Sequence, residues 1–254
     1  MNAWLRRTIV VAGPLLTWAF LSRLGPWPHW LFPDPLAVGR SFATVLSDGR
    51  LPAAVARSLG RMVQGYGLSL AIGVPLGIAM ARSAVVNASL RPLVLGLQAL
   101  PSICWLPLAI LWFGLSEGAI LFVVVMGSLL AIAIAAEDAV AGVDPVLLRA
   151  AGTLGIRGLR FHLGVLLPAA LPGVLTGAKL GWSFAWRALM AGELLFVAGG
   201  LGQLLQAGRE TLDASLVMAV MVAIVVVGVA VDQGLFRMLE LRVRRRWGLV
   251  EAPA

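Results

Sequence analysis

The feature that most constrains this chain is a series of apolar segments, each long enough to cross a bilayer. Crossing the hydrocarbon takes about 20 predominantly apolar residues. Five stretches meet that length, 62–81, 92–113, 119–136, about 174–197 and 216–234, and a shorter apolar run over 8–22 precedes them. The chain is 60% hydrophobic and 13% charged, with a mean hydropathy of +0.93. Soluble domains carry about 45–50% apolar and about 25% charged residues. This chain has too little polar surface for an ordinary cytosolic enzyme, a disordered chain or a collagen-like protein. The expected fold class is all-α: a polytopic membrane protein of six transmembrane helices.

The first stretch resembles a signal peptide, with Arg6 and Arg7 ahead of an apolar run. No A-x-A-like site follows it, and Pro26 and Pro28 stop the helix soon after. It reads as a retained first span. Residues 1–61 then form the N-terminal span, an outer segment and an interfacial helix. Residues 62–236 form the transmembrane core, and 237–254 a basic tail.

Lys and Arg number 20 against 12 Asp and Glu. With six spans, most of the arginine falls on one side. Arg6 and Arg7 precede the first span, and Arg82 and Arg91 follow the second. Arg149, Arg157 and Arg160 lie between the fourth and fifth. Arg237, Arg242, Arg244, Arg245 and Arg246 follow the sixth. The positive-inside rule makes that side cytoplasmic, with both termini on it. The exceptions are Arg40, Arg50, Arg57 and Arg61. Residues 51–61 look like an amphipathic interfacial helix, whose arginines would snorkel to the headgroups. The basic excess is no nucleic-acid signature, since no associated fold motif is present.

Cys104 is the only cysteine, so no intramolecular disulfide forms, and it reads as an inert small hydrophobe. His29 and His162 are the only histidines, and no metal site is expected.

The loop between spans four and five, 137–172, is the outlier, because long loops in compact proteins tend to be functional. Asp144-Pro145 reads as a helix start. Val146, Leu147, Ala150, Ala151 and Leu154 then make an apolar face, and Gly155 ends the helix. A second helical stretch, 158–167, ends at Pro168. Such a face packs on its own bundle, on lipid, or into a partner's groove.

Ala150-Ala151, three residues, Gly155, nine residues, then Val165, Leu167 and Pro168 resemble the E-A-A-x₃-G-x₉-I-x-L-P loop of ABC-importer permeases. Arg149 stands where that family usually has Glu. The resemblance extends to Leu31-Phe32-Pro33-Asp34-Pro35, Ser58-Leu59-Gly60-Arg61 and Gly73-Val74-Pro75-Leu76-Gly77. It continues in Leu100-Pro101-Ser102, residues 106–114 and Ala191-Gly192-Glu193-Leu194-Leu195. These look like the permeases of sulfonate, taurine and nitrate importers, of the MetI-like type I fold.

The resemblance implies a cytoplasmic coupling helix in the 137–172 loop. Arg149, Ala150, Ala151, Thr153, Leu154, Gly155 and Pro168 would dock on an ATPase subunit. It implies a second permease copy, a periplasmic or lipid-anchored binding protein, and alternating access in a bacterial inner membrane. The chain has no G-x-x-x-x-G-K-[ST], so ATP and Mg would be held by the partner and this chain needs no cofactor. It is expected to be a transport subunit, not an enzyme.

Pathway candidates come from the residues themselves. Pro101 and Pro107 break the third span, and broken backbone at membrane depth lines a cavity or is buried in protein. Intramembrane charge is a functional hypothesis by default, and the fifth span holds Lys179, Arg187 and Glu193. Trp182, Ser183, Trp186 and Arg187 could form a polar, aromatic wall, with the Arg187 fork facing an anion. The plainer alternatives are a snorkelling Lys179, a structurally paired Glu193 and packing tryptophans. Gly73 and Gly77 suit close helix packing or a deformable gate around Pro75. Glu137 and Asp138 read as solvated charges closing span four.

Two other classes compete. A gradient-driven secondary transporter or channel would explain the charges of span five but not the spaced loop. A membrane-embedded hydrolase would need a base beside Ser69, Ser128 or Ser183, and no span contains a histidine.

Overall fold

The computed structural model describes residues 3–28, 30–195 and 199–246. The side chains of Arg6, Arg7, Arg244 and Arg246, residue His29 and the expected span end at Val197 lie outside the described residues. Among the described residues, every regular element is helical. Four of these helical stretches are long and apolar enough to cross a membrane: Arg50–Arg82, Glu117–Ala141, Gly158–Leu195 and Ala214–Val243. Ala84–Gln98 with Ser102–Phe113 makes a fifth if that bent pair is one span. The first expected span lies in α1 (Ala3–Leu24).

The chain divides into two compact units, 1–57 with 199–227, and 58–198 with 228–254. In the first, Trp18 Nε1 donates to the Pro33 carbonyl at 3.1 Å, tying α1 to the segment after it. Helix α2 (Pro35–Ser47) starts because the Asp34 carboxylate accepts from the Ala37 N–H at 2.6 Å, with Pro35 in the first position.

Helix α3 (Arg50–Arg82) corrects the expectation of a separate interfacial helix over 51–61. That stretch and the second span are one helix. Pro52 sits in its first turn, where a missing N–H is tolerated. Ser58, Arg61, Met62, Gly65, Tyr66 and Ser69 are all buried at helical spacing, so the inward face runs on without a break. Ahead of it, the Arg50 backbone N–H holds the Asp48 carboxyl below its usual range.

The second unit is built around α6 (Glu117–Ala141) and α9 (Leu167–Leu195), which pack along their length. Lipid tails are as apolar as leucine, so helices associate in a membrane through close packing. Glycines of α3 and α9 face α6 from two sides. A Cβ at Gly77 would overlap the Ala133 carbonyl oxygen, and one at Gly73 would sit 2.9 Å from the Leu129 carbonyl oxygen. A Cβ at Gly173 would lie 2.7 Å from Ala139 Cβ, and one at Gly177 would overlap Ala135. Gly73 and Gly77 are therefore packing positions, and α3 continues helically through Pro75. Ser128 Oγ donates to Ser69 Oγ at 2.8 Å, joining α6 to α3, so both serines are satisfied structurally.

The third expected span is broken where the prolines suggested. Helix α4 (Ala84–Gln98) and the following Ser102–Phe113 segment meet at 98° across a break just before Pro101. Pro107 does not break anything: it lies in the first turn of α5 (Leu106–Phe113). Cys104 is exposed on the 3₁₀ turn between them.

Pro168 also departs from expectation. The second loop helix does not stop there, and helical structure continues from Gly158 to Leu195. Helix α8 (Gly158–Phe161) passes through a π-helical turn, His162–Leu166, into α9. There the Leu167 N–H bonds the His162 carbonyl, five residues back. The wider turn accommodates a proline that lacks an N–H and would crowd the carbonyl four residues earlier.

Replacing Gly77 with valine is expected to destabilise the bundle by about 1–3 kcal/mol, because backbone of α6 cannot give way. Gly96→Ala, at a position with open space, is expected to be near neutral. Thermal unfolding in detergent compares the two.

Candidate functional site: docking loop and intramembrane cavity

Helix α7 (Pro145–Thr153) begins where Asp144 accepts from the Val146 N–H at 2.7 Å. It ends at Gly155, whose φ of +73° is open to glycine and costly for other residues. Leu148 packs onto Val140, Val143, Leu166 and Ala170, at the end of α6 and the start of α9, and Ala151 is buried. The anticipated apolar face is therefore not the buried one. Val146 is 59% exposed and Leu154 77%, with Leu147 also exposed. Arg149, Ala150 and Thr153 are exposed as well, and Pro168 is half-buried in the first turn of α9. Six of the seven proposed docking residues thus lie on or beside α7, with Ala151 as its inward anchor.

A cavity of about 270 Å³ opens where α4 and α5 bend apart. Its walls include Gln98, Pro101, Ser102, Gly127, Phe184 and Arg187. The Arg187 guanidinium carbon stands 4.7 Å from the Phe184 ring centroid, and Nε donates to the Ser183 carbonyl at 3.2 Å. Arg187 is exposed, and among the described residues it makes no ion pair. A fork stacked on an aromatic face in this way is pre-organised for planar or tetrahedral oxyanions.

Pro101 and Arg187, far apart in sequence, share this cavity. Pro107, Trp182, Ser183 and Trp186 do not line it. Trp182 is buried in an aromatic core. It meets Tyr66 edge-on at 5.4 Å and stacks on Trp186 at 6.3 Å. Tyr66 Oη donates to the Ala178 carbonyl at 2.7 Å.

Several other charges of this unit are paired. Arg61 Nη1 donates to Glu193 Oε1 at 2.7 Å. Arg61 Nε and Nη2 grip both oxygens of Glu117, at 2.5 and 2.7 Å. Ser58 Oγ reaches Glu193 Oε2 at 2.7 Å. Arg61 therefore does not snorkel to headgroups: it is buried and ties α3 to the start of α6 and the end of α9. Glu193 is structurally paired, as the plainer reading had it. Glu137, expected to be solvated, is buried instead. It accepts from Asn87 Nδ2 at 2.5 Å and from Arg91 of α4, while Asp138 stays exposed. Lys179 does not snorkel alone, because its Nζ lies 3.1 Å from Asp232 Oδ1. Sequence reasoning missed Arg61 as the shared partner of Glu193 and Glu117. The usable signal was that Arg61 and Glu193 both fall in the quoted family segments.

Residues 73–245 match the family described as the binding-protein-dependent transport system inner membrane component. The chain belongs to that family. It is 34% identical over 195 residues to a protein described as an ABC transporter permease in Methanocaldococcus jannaschii, covering 76% of this chain and 73% of that one. It is 30% identical over 242 residues to the taurine transport system permease of Escherichia coli, covering 93% and 88%. Among solved structures, a chain of the inward-facing MetNI methionine ABC transporter superposes with a TM-score of 0.65 at 22% identity. That match covers 76% of this chain and 94% of the other, and supports the MetI-like fold.

This chain is therefore a membrane-spanning permease of the ABC importer class, and its relatives are transport subunits, not enzymes. Its family implies partner chains that hydrolyse ATP and deliver solute. The cluster that holds the permease helices together has unequal members. Glu193 is 0% exposed and Glu117 62%. Glu193→Gln is expected to cost about 3 kcal/mol, since it leaves buried charge under-compensated. Glu117→Gln is expected to cost under about 1 kcal/mol. Detergent unfolding of both variants measures the difference.

Proposed function

We propose that this permease carries a small anion of the alkyl sulfonate, taurine or nitrate class across a bacterial inner membrane by alternating access. The observation that carries this reading is Arg187, exposed in a cavity of about 270 Å³ with its guanidinium over Phe184. Every other described basic residue of the fifth span is ion-paired; Arg187 is left for a ligand. The taurine permease among its relatives supports an oxyanion solute. The break before Pro101 opens the same cavity, giving the solute a wall of irregular backbone as well as a cation.

The topology we adopt has six spans with both termini cytoplasmic, α1 being the first and the bent α4–α5 pair the third. The 137–172 loop is then cytoplasmic. Two copies of this chain would enclose the path, and two ATPase subunits would dock on α7 and its flanks. A periplasmic or lipid-anchored binding protein would deliver the solute from the other side. ATP and Mg belong to the partner. Leu148 anchors α7 to the ends of α6 and α9, so a push on α7 would reach both central helices.

Arg187→Ala is expected to lower uptake in reconstituted vesicles by more than about tenfold at low solute, with ATPase retention unchanged. Undiminished uptake would remove the anion role. Gly155→Asp, at a φ that disfavours any side chain, is expected to release the ATPase subunit while the bundle stays folded. Full ATP-coupled uptake by that variant would sink the docking assignment.

A further inference from the structure

The docking surface carries an unusual charge pattern. No Asp or Glu occurs between Asp144 and Glu193. Asp144 is occupied in capping α7. Arg149, Arg157 and Arg160 are all exposed, and among the described residues none of them makes an ion pair. They sit among exposed apolar side chains: Val146, Leu147 and Leu154 on and beside α7, then Leu159 and Leu163 beyond the turn.

Helical periodicity fixes the arrangement. Leu148 and Ala151 point inward. The opposite direction on a 3.6-residue helix is taken by Val146, Ala150 and Thr153, with Arg149 flanking them. The outward face is thus a narrow apolar ridge of small residues with a cation along its edge. Gly152 has nothing within 4 Å of its would-be side chain, so a partner's backbone can approach closely there.

Covering such a face removes water from guanidinium groups, which is costly unless the partner supplies hydrogen-bonded opposite charge. This chain offers none of its own locally. Building on the docking reading above, we infer that the ATPase groove that receives α7 has an apolar floor and a carboxylate-bearing rim that pairs with Arg149. The departure from the family's usual Glu at this position is then a reversal of charge across the interface, matched on the partner. An anionic lipid surface would also attract arginines. Helices that lie on membranes, however, insert large wedges such as Trp, Phe and Leu, whereas the outward centre here is Val146, Ala150 and Thr153.

The test uses the full transporter, with its ATPase subunit, in nanodiscs of zwitterionic phosphatidylcholine. Subunit dissociation is measured from about 0.05 to 0.5 M NaCl, spanning weak to strong screening. Wild type is expected to weaken as salt rises. Arg149→Glu is expected to weaken association roughly tenfold at low salt, and Arg149→Lys by no more than about twofold. Exchange of the groove carboxylate for lysine is expected to restore binding to Arg149→Glu. If Arg149→Glu binds like wild type while Gly155→Asp releases the subunit, docking stands and the acidic rim is refuted. If neither variant loses the subunit, the docking reading itself fails. A deficit that appears only when anionic lipid is added places the charge at the membrane and overturns the inference.

Discussion

The second unit depends on how closely two helices can approach a third. Helix α6 is held between the glycine-bearing faces of α3 and α9, where no side chain stands between the backbones. Without a hydrophobic force between helices in lipid, this contact must come from dispersion and from hydrogen bonds between satisfied groups. The Ser69–Ser128 bond and the Tyr66 bond to the Ala178 carbonyl add polar fastenings inside that packing.

Charge fixes the two ends of the same helix. At its start, Glu117 joins Arg61 of α3, which also holds Glu193 of α9. At its far end, Glu137 is held by Asn87 and Arg91 of α4. An α-helix of this length runs about 37 Å at 1.5 Å per residue. Helix α7 packs where α6 ends and α9 begins, and the Arg61 cluster closes the other end. The proposed coupling therefore needs no specialised pathway of side chains. Helices α6 and α9, glycine-packed along their length and tied through Arg61 at one end, would carry a displacement at α7 between them.

Against that rigid pair, the α4–α5 bend is the irregular element. The 98° turn before Pro101 takes backbone out of the helical ladder and opens the cavity onto which Arg187 faces. The continuous helices pack along their length, and the broken one makes room. The aromatic stack of Trp182 with Tyr66, Trp186 and Phe236 belongs to the rigid part. That is why Trp182 and Trp186, on the same helix as Arg187, do not share its cavity.

The sequence by itself determined the apolar helices, the cap at Asp144, the turn at Gly155, the break near Pro101 and the family. Each of these is a local consequence of residue type: apolar length, a capping carboxylate, a missing Cβ, a missing N–H, a fixed spacing. It did not determine which charges would find each other. Arg61 and Lys179 read as snorkelling and Glu137 as solvated, because their partners Glu193, Asp232 and Arg91 lie dozens of residues away. Nor could it tell that α7 buries Leu148 and Ala151 while exposing Val146 and Leu154, since an apolar stripe has no label for the side that will be covered. Those outcomes depend on which helix faces come together, and only the tertiary structure decides that.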